Sequence, residues 1–265
     1  MTRTPLARKI PALINAVAVC TIVALGPAAA NLIHYRVSPG ALAQYIGCEP
    51  ITLFAGLTLA WIAFSSSQRG SLLGVGAGTY IIYTMVTVVF GQDYSRYDGN
   101  GELFFPLIVV VTASALFTVV ECVSELVKHQ PLAVSRRHRV MLFVLGTMFA
   151  FMWISTLAQG NWDSNPEYQA DPTLFWLVKY LDLSVIIPTA LVSAFVWRGT
   201  YRVAGMCVLA FSGWMTLAIA GMQIAMIALE FSPVGALIVA GVMLAAASVA
   251  AWLIFTLKEP VERHN

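Results

Sequence analysis

Eight runs of roughly 20 apolar residues, separated by short polar connections, constrain this chain more than any other feature. A helix rising 1.5 Å per residue needs about 20 apolar residues to cross ~30 Å of hydrocarbon. The runs fall at Ile10–Ile33, Ile51–Ser67, Ser71–Phe90, Leu103–Leu126, Val140–Leu157, Thr173–Trp197, Val203–Ala228 and Pro233–Leu257, the second being short. They are continuously apolar rather than alternating, which favours helices over a barrel. Composition agrees, with 59% of residues hydrophobic, 11% charged and a mean hydropathy of +0.79; soluble domains carry ~25% charged residues. The sequence predicts an all-α, polytopic transmembrane helix bundle, one domain over residues 1–265, with the lipid bilayer as its first partner.

Orientation follows from where the basic residues fall. With the N-terminus in the cytosol, the inner side collects Arg3, Arg8, Lys9, Arg69, Lys128, Arg136, Arg137, Arg139, Arg198, Arg202, Lys258 and Arg263, which is 12 of the 15 Lys and Arg. Arg36 and Arg96 fall outside and Lys179 within a span. The outer connections are acidic, with Glu49, Asp93, Asp98, Glu102, Asp163, Glu167, Asp171 and Glu230. Both termini are therefore expected in the cytoplasm. Arg3, Arg8 and Lys9 precede an apolar run ending in Ala28-Ala29-Ala30, a passable signal-peptidase pattern; the length of the run favours an uncleaved first span.

Local signals mark boundaries and contacts. Pro50 and Pro172 are expected at first helical positions, with Asp171 as the N-cap before Pro172. Trp162, Trp176 and Trp197 fall near predicted interfaces. Gly74, Gly76, Gly78 and Gly221 offer small surfaces for close helix approach. The Gly74–Gly78 stretch lacks the Lys-Ser/Thr and preceding strand of a phosphate-binding loop.

Several chemistries lack their residues. A formal charge of +2 leaves no basic footprint for nucleic acid. His34, His129, His138 and His264 lie at ends, loops or tails rather than paired inside spans, so no haem is expected. Cys20, Cys48, Cys122 and Cys207 are scattered, and three of them read as small buried hydrophobes. There is no HExxH zinc motif. Asp98-Gly-Asn-Gly-Glu102 has the wrong spacing for a calcium loop and reads as a turn. No metal or cofactor is called for.

Polar residues inside the spans are the handle on function. In the sixth span, Lys179 lies ~9 Å below the outer surface and Asp182 close to the midplane. Spaced i, i+3, they share a face and are expected to form an internal ion pair. Thr189 and Ser193 extend that face, and Pro188 is expected to kink the helix beside it. The third span carries Tyr80, Tyr83, Thr84 and Thr87 at helical spacing; the seventh carries Ser212, Thr216 and Gln223. These three spans are therefore expected to surround a polar interior, while the eighth packs through small residues or faces lipid. Glu121 and Glu125, one turn apart near the inner end of the fourth span, form a second constellation. Glu125 is expected to reach Lys128 and His129, and Arg136-Arg137-His138-Arg139 to face anionic lipid.

From Gln44 to Leu103 the chain resembles an uncharacterised family of bacterial eight-span integral membrane proteins. The resemblance rests on the short second span, the Arg69-Gly70-Ser71 loop, the Tyr80–Tyr83 segment and the Leu103-Phe104-Phe105-Pro106 entry. Lys179-Tyr-Leu-Asp-Leu-Ser-Val-Ile-Ile-Pro188 is similar to that family's sixth span, with Ser184 in place of an expected Gly. The resemblance implies a multi-pass protein of the bacterial cytoplasmic membrane, and places Asp182 and Pro188 in the shared pattern. It implies no activity and no counterpart for Lys179.

The leading functional expectation is a small-solute or proton-coupled transporter, with Asp182 and Lys179 at its site and Thr189, Tyr83 and Gln223 around them. One alternative is a non-catalytic accessory or sensor subunit docking through the acidic outer loops. Another is an integral-membrane enzyme acting on lipid through Glu121 and Glu125.

Overall fold

The computed structural model describes residues 6–65, 67–128, 135–196, 198–233 and 235–257. Arg3, His129, Trp197, Lys258, Arg263 and His264, named above, lie outside the described residues. Among those described, every regular element is helical. The helices are α1 (Leu6–Leu25), α2 (Pro39–Ile62), α3 (Gln68–Phe90), α4 (Phe105–Lys128) and α5 (Arg136–Ala158), then a short α6 (Pro166–Ala170). They continue with α7 (Pro172–Leu181), a π-helical turn (Asp182–Ile186), α8 (Ile187–Phe195), α9 (Gly199–Ala228) and α10 (Ala236–Phe255). Counting α7, the π turn and α8 as one, eight helices among the described residues are long and apolar enough to cross a membrane.

Burial sorts them into an inner and an outer set. In their most apolar windows α3 and α9 are each 61% buried, whereas α5 is 17% and α10 22%. The central pair is flanked by α2, and large apolar side chains such as Phe54 and Trp61 of α2, Phe117 of α4, Phe151 of α5 and Ile238 of α10 point outward. An apolar exterior of this extent is stable only against hydrocarbon, so the chain is a multi-span membrane protein.

Glycine decides how close the inner helices come. A Cβ on Gly47 of α2 would lie 2.4 Å from the Gly221 carbonyl oxygen of α9, and one on Gly221 would lie 2.5 Å from that of Gly47. The two backbones touch there. Gly76 faces Ala210 of α9 at 2.8 Å, while Gly74 and Gly78 face Cys122 and Val119 of α4. One glycine-rich turn of α3 thus receives two neighbours on opposite sides.

The second span is corrected. Its helix starts 12 residues before Ile51, at Pro39, with Ser38 as N-cap accepting from the Ala41 N–H. Ser38-Pro39 is an ordinary helix start. The charge of Glu49 and the ring of Pro50 suggested a loop, but both lie inside the helix. Pro50 is exposed at the surface, and Glu49 is 9% exposed. The first span ends sooner than expected, at Leu25, before the Gly26-Pro27 turn.

Basic residues tie the face that carries the start of α1 and the end of α10. Arg8, 1% exposed, donates to Ser71 Oγ at 2.9 Å and to the Ser65 carbonyl beyond α2. Arg69 donates to the Leu257 carbonyl beyond α10, and Arg139 to Ala194 O near the end of α8 at 2.9 Å. His138 reaches Leu253 O of α10 at 3.1 Å. Each sits in or near the first turn of one helix and serves the C-terminal carbonyls of a neighbour, where a cation is favoured. His138, which is buried, therefore braces a helix end rather than facing lipid, because the antiparallel order sets that carbonyl beside it; Arg139 braces α8 while remaining exposed. Arg137 lies over the Trp252 ring at 5.7 Å.

The opposite face is braced by its connections. Arg36 pairs with Glu102 at 2.7 Å, and Asn100 bonds the backbone of Leu32 and His34. Tyr97 and Arg96 reach the carbonyls of Ala170 and Gln169. Asp171 occupies the N-cap position of α7, yet its side chain makes no cap bond there. Its carboxylate instead accepts from Ser38 N at 3.1 Å and from Ser38 Oγ, fastening the start of α2. Asp171→Ala is expected to lower stability by about 1–3 kcal/mol, since it strands two buried donors; thermal unfolding in detergent measures it, and an unchanged midpoint refutes the clasp.

Candidate functional site

Asp182 lies where the sixth membrane helix departs from α geometry. Pro188 cannot donate a backbone hydrogen bond and its ring crowds the preceding turn. The helix relieves this with a π-helical turn, in which Ile187 N–H bonds the Asp182 carbonyl five residues back. Two hydroxyls bond backbone carbonyls one turn back beside it: Ser184 Oγ donates to Tyr180 O at 2.5 Å and Thr189 Oγ to Val185 O at 2.6 Å. Thr189 is thus engaged by its own helix and makes no described bond to Asp182. Single π turns inside α-helices are concentrated at functional sites.

The π turn presents the Asp182 carboxylate to two neighbours. Tyr83 of α3 donates its hydroxyl at 3.0 Å, and Trp153 of α5 its indole N–H at 2.8 Å. The expected Lys179–Asp182 ion pair does not form: among the described ion pairs, Lys179 meets only Glu167, at 3.9 Å. Its ammonium sits 3.3 Å from the Phe175 ring centre and 4.4 Å from that of Trp153. Being one turn nearer the connection that carries Glu167, it is drawn into an aromatic clamp. Trp162 and Tyr168 pack on Phe175 and Trp176 and close this end. Trp153 therefore touches both ionisable groups, one through its N–H and the other through its ring.

Tyr83 also borders a cavity of about 60 Å³. One water needs roughly 10–15 Å³ by this measure, so the space accommodates several. Two of its walls are α3 and α9, the third and seventh spans as expected, but α1 and α2 stand where the sixth was expected: α2 contributes Tyr45, Cys48, Glu49 and Thr52, and α3 contributes Tyr80, Tyr83, Thr84 and Thr87. The earlier start of α2 is the reason, since it puts a polar helix face where a loop was expected. Tyr80 OH lies 3.2 Å from Thr52 Oγ, and Tyr45 OH bonds the Thr87 carbonyl at 3.3 Å. Met215 and Met222 close the α9 side. Tyr35 stands at the rim; burial, with Glu49 adding to it, raises its phenol well above the ordinary range, so it stays a neutral donor.

The remaining candidates lie apart. Gln223, beside Met222, is half-buried and makes no described hydrogen bond, and it does not line the cavity. Glu125 pairs with Lys128 at 3.2 Å, while Glu121 is half-buried on the same helix. Trp153 and Glu49 were missed from the sequence. The α5 sequence has little amphipathic pattern to point Trp153 inward; for Glu49, Ser38-Pro39 was the usable signal. Among the described residues no group of His, Cys, Asp and Glu is placed to hold a metal ion. Comparison with protein families, with curated proteins and with solved structures found no match to this chain, so the reading of the site stands on its geometry.

Proposed function

We propose that this membrane protein is a proton-coupled permease for a small solute, with Asp182 as its exchangeable carboxyl. The observation that carries the reading is the placement of Asp182: on a π turn, bonded to Tyr83, whose ring borders a cavity with room for water. A carboxylate that accepts from a phenol and an indole loses or gains a proton with small movements of its donors. The π turn and Pro188 supply a place where the helix can change its hydrogen bonding at modest cost. Residence in the bacterial cytoplasmic membrane, with both termini inside, belongs to the same proposal and is supported by the charge segregation described above.

The Lys128 contact to Glu125 leaves the lipid-enzyme reading without two unengaged carboxylates, and no observation favours an accessory role. The test is flux into proteoliposomes across a panel of ions and small solutes, with wild type beside Asp182→Asn. Flux that is present in wild type and lost in the variant supports the proposal. Equal flux in both removes Asp182 from the mechanism.

A further inference from the structure

Glu49 is the one acidic side chain on the cavity wall, and its hydrogen bonding is incomplete. Gly26 lacks a Cβ, which would lie 2.2 Å from Glu49 Oε1, so the turn after α1 closes tightly over the carboxylate. Oε2 accepts from the Ala28 N–H at 2.9 Å. Oε1 is buried with no partner, although a carboxylate has room for about four donors. The titratable groups that share the cavity are Tyr35, Tyr45, Cys48, Tyr80 and Tyr83; the turn at Gly26–Ala28 and the α9 wall add none. No Lys, Arg or His lines it among the described residues.

A buried carboxylate without a countercharge is costly and is stable only when something neutralises it. We propose that Glu49 and the cavity beside it form a binding site for a compact, singly charged cation. One carboxylate balances one charge, whereas a divalent ion such as calcium takes 6–8 oxygens and usually several carboxylates. The 60 Å³ volume admits an ion of alkali or ammonium size. The hydroxyl oxygens of Thr52, Thr84 and the tyrosines among the lining residues can accept from or coordinate a positive charge. Asp182 does not itself line the cavity, although Tyr83, which does, donates to it; the proposal concerns binding at Glu49, so it does not rest on the transport reading.

The experiment is thermal unfolding of the full chain in detergent at fixed pH and ionic strength, with sodium, potassium or ammonium chloride exchanged for choline chloride. Choline serves as the bulky reference cation. At a hundredfold excess over its dissociation constant, at least one compact cation should raise the midpoint by roughly 5–10 °C relative to choline. Glu49→Gln should lose that shift, and Asp182→Asn should keep it. A response identical in choline, or one that survives in Glu49→Gln, overturns the site. So does a midpoint that follows pH but none of the cations, which would make Glu49 a proton site only. Wild-type protein supplies an independent readout should Glu49→Gln fail to fold. Dicyclohexylcarbodiimide labels buried carboxyls, and peptide mass spectrometry should find Glu49 protected by the same cation. Labelling unchanged by every cation overturns the proposal.

Discussion

Asp182→Asn is expected to reduce solute-coupled proton flux by about 100-fold or more, the scale of losing a positioned proton carrier. The substitution is nearly isosteric, so the fold should survive it. Asn offers one acceptor oxygen where Asp offers two; with that oxygen on the Trp153 N–H, its amide can donate to the Tyr83 hydroxyl, which also accepts. Exchanging charge-assisted bonds for neutral ones should cost about 1 kcal/mol of stability. Flux and unfolding are therefore measured on the same preparation, so that lost activity is not mistaken for lost protein. Tyr83→Phe provides the internal comparison. It leaves the carboxylate in place and removes its hydroxyl link to the cavity, so flux should fall while Asp182 keeps the Trp153 bond. If Tyr83→Phe is fully active, protons do not pass between the cavity and Asp182 along this route.

The second large effect concerns architecture. Gly47→Leu is expected to destabilise the protein by about 3 kcal/mol or more, or to prevent assembly, because the new side chain meets backbone rather than a movable side chain. Gly47→Ala should already be harmful, since even its Cβ would sit 2.4 Å from the Gly221 carbonyl oxygen. Gly241 of α10 is the control: nothing lies within 4 Å of an added Cβ there. Gly241→Ala should be neutral, or stabilising by up to about 1 kcal/mol through helix propensity. Resistance to detergent-induced unfolding measures all three. Equal behaviour of Gly47→Ala and Gly241→Ala would show that α2 and α9 do not cross at this glycine pair.

Membrane helices carry their burial in plain view, and this made most of the fold legible. The spans, their number and the glycines of α3 all follow from composition along the chain, since hydrocarbon demands a continuous apolar run. The start of α2 failed for an instructive reason. A Glu beside a Pro reads as a loop when each residue is priced against lipid, but Glu49 faces neighbouring helices and Pro50 lies at the surface. Ser38-Pro39 marked the true start and was outweighed. The cavity followed that helix: α3 and α9, the third and seventh spans, wall it as expected, but α1 and α2 take the place expected of the sixth.

Partner choice at the site shows the same division. Helical spacing placed Lys179 and Asp182 on one face, and that much the chain dictated. Nearness along a helix does not settle which group each side chain meets. Lys179 turns to Phe175, Trp153 and Glu167, while Asp182 turns to Tyr83 and Trp153. Trp153 comes from a helix some 30 residues away in sequence, and nothing in α5 marked it as inward-facing. By itself the sequence determined the all-helical class, the eight crossings and the segregation of charge, because each depends on the local cost of placing a residue in hydrocarbon. Only the tertiary structure decided which polar groups meet, where the cavity lies and which carboxylate is left short of partners. Those depend on the azimuth of each helix and on close approach at single glycines, quantities that packing among distant segments sets.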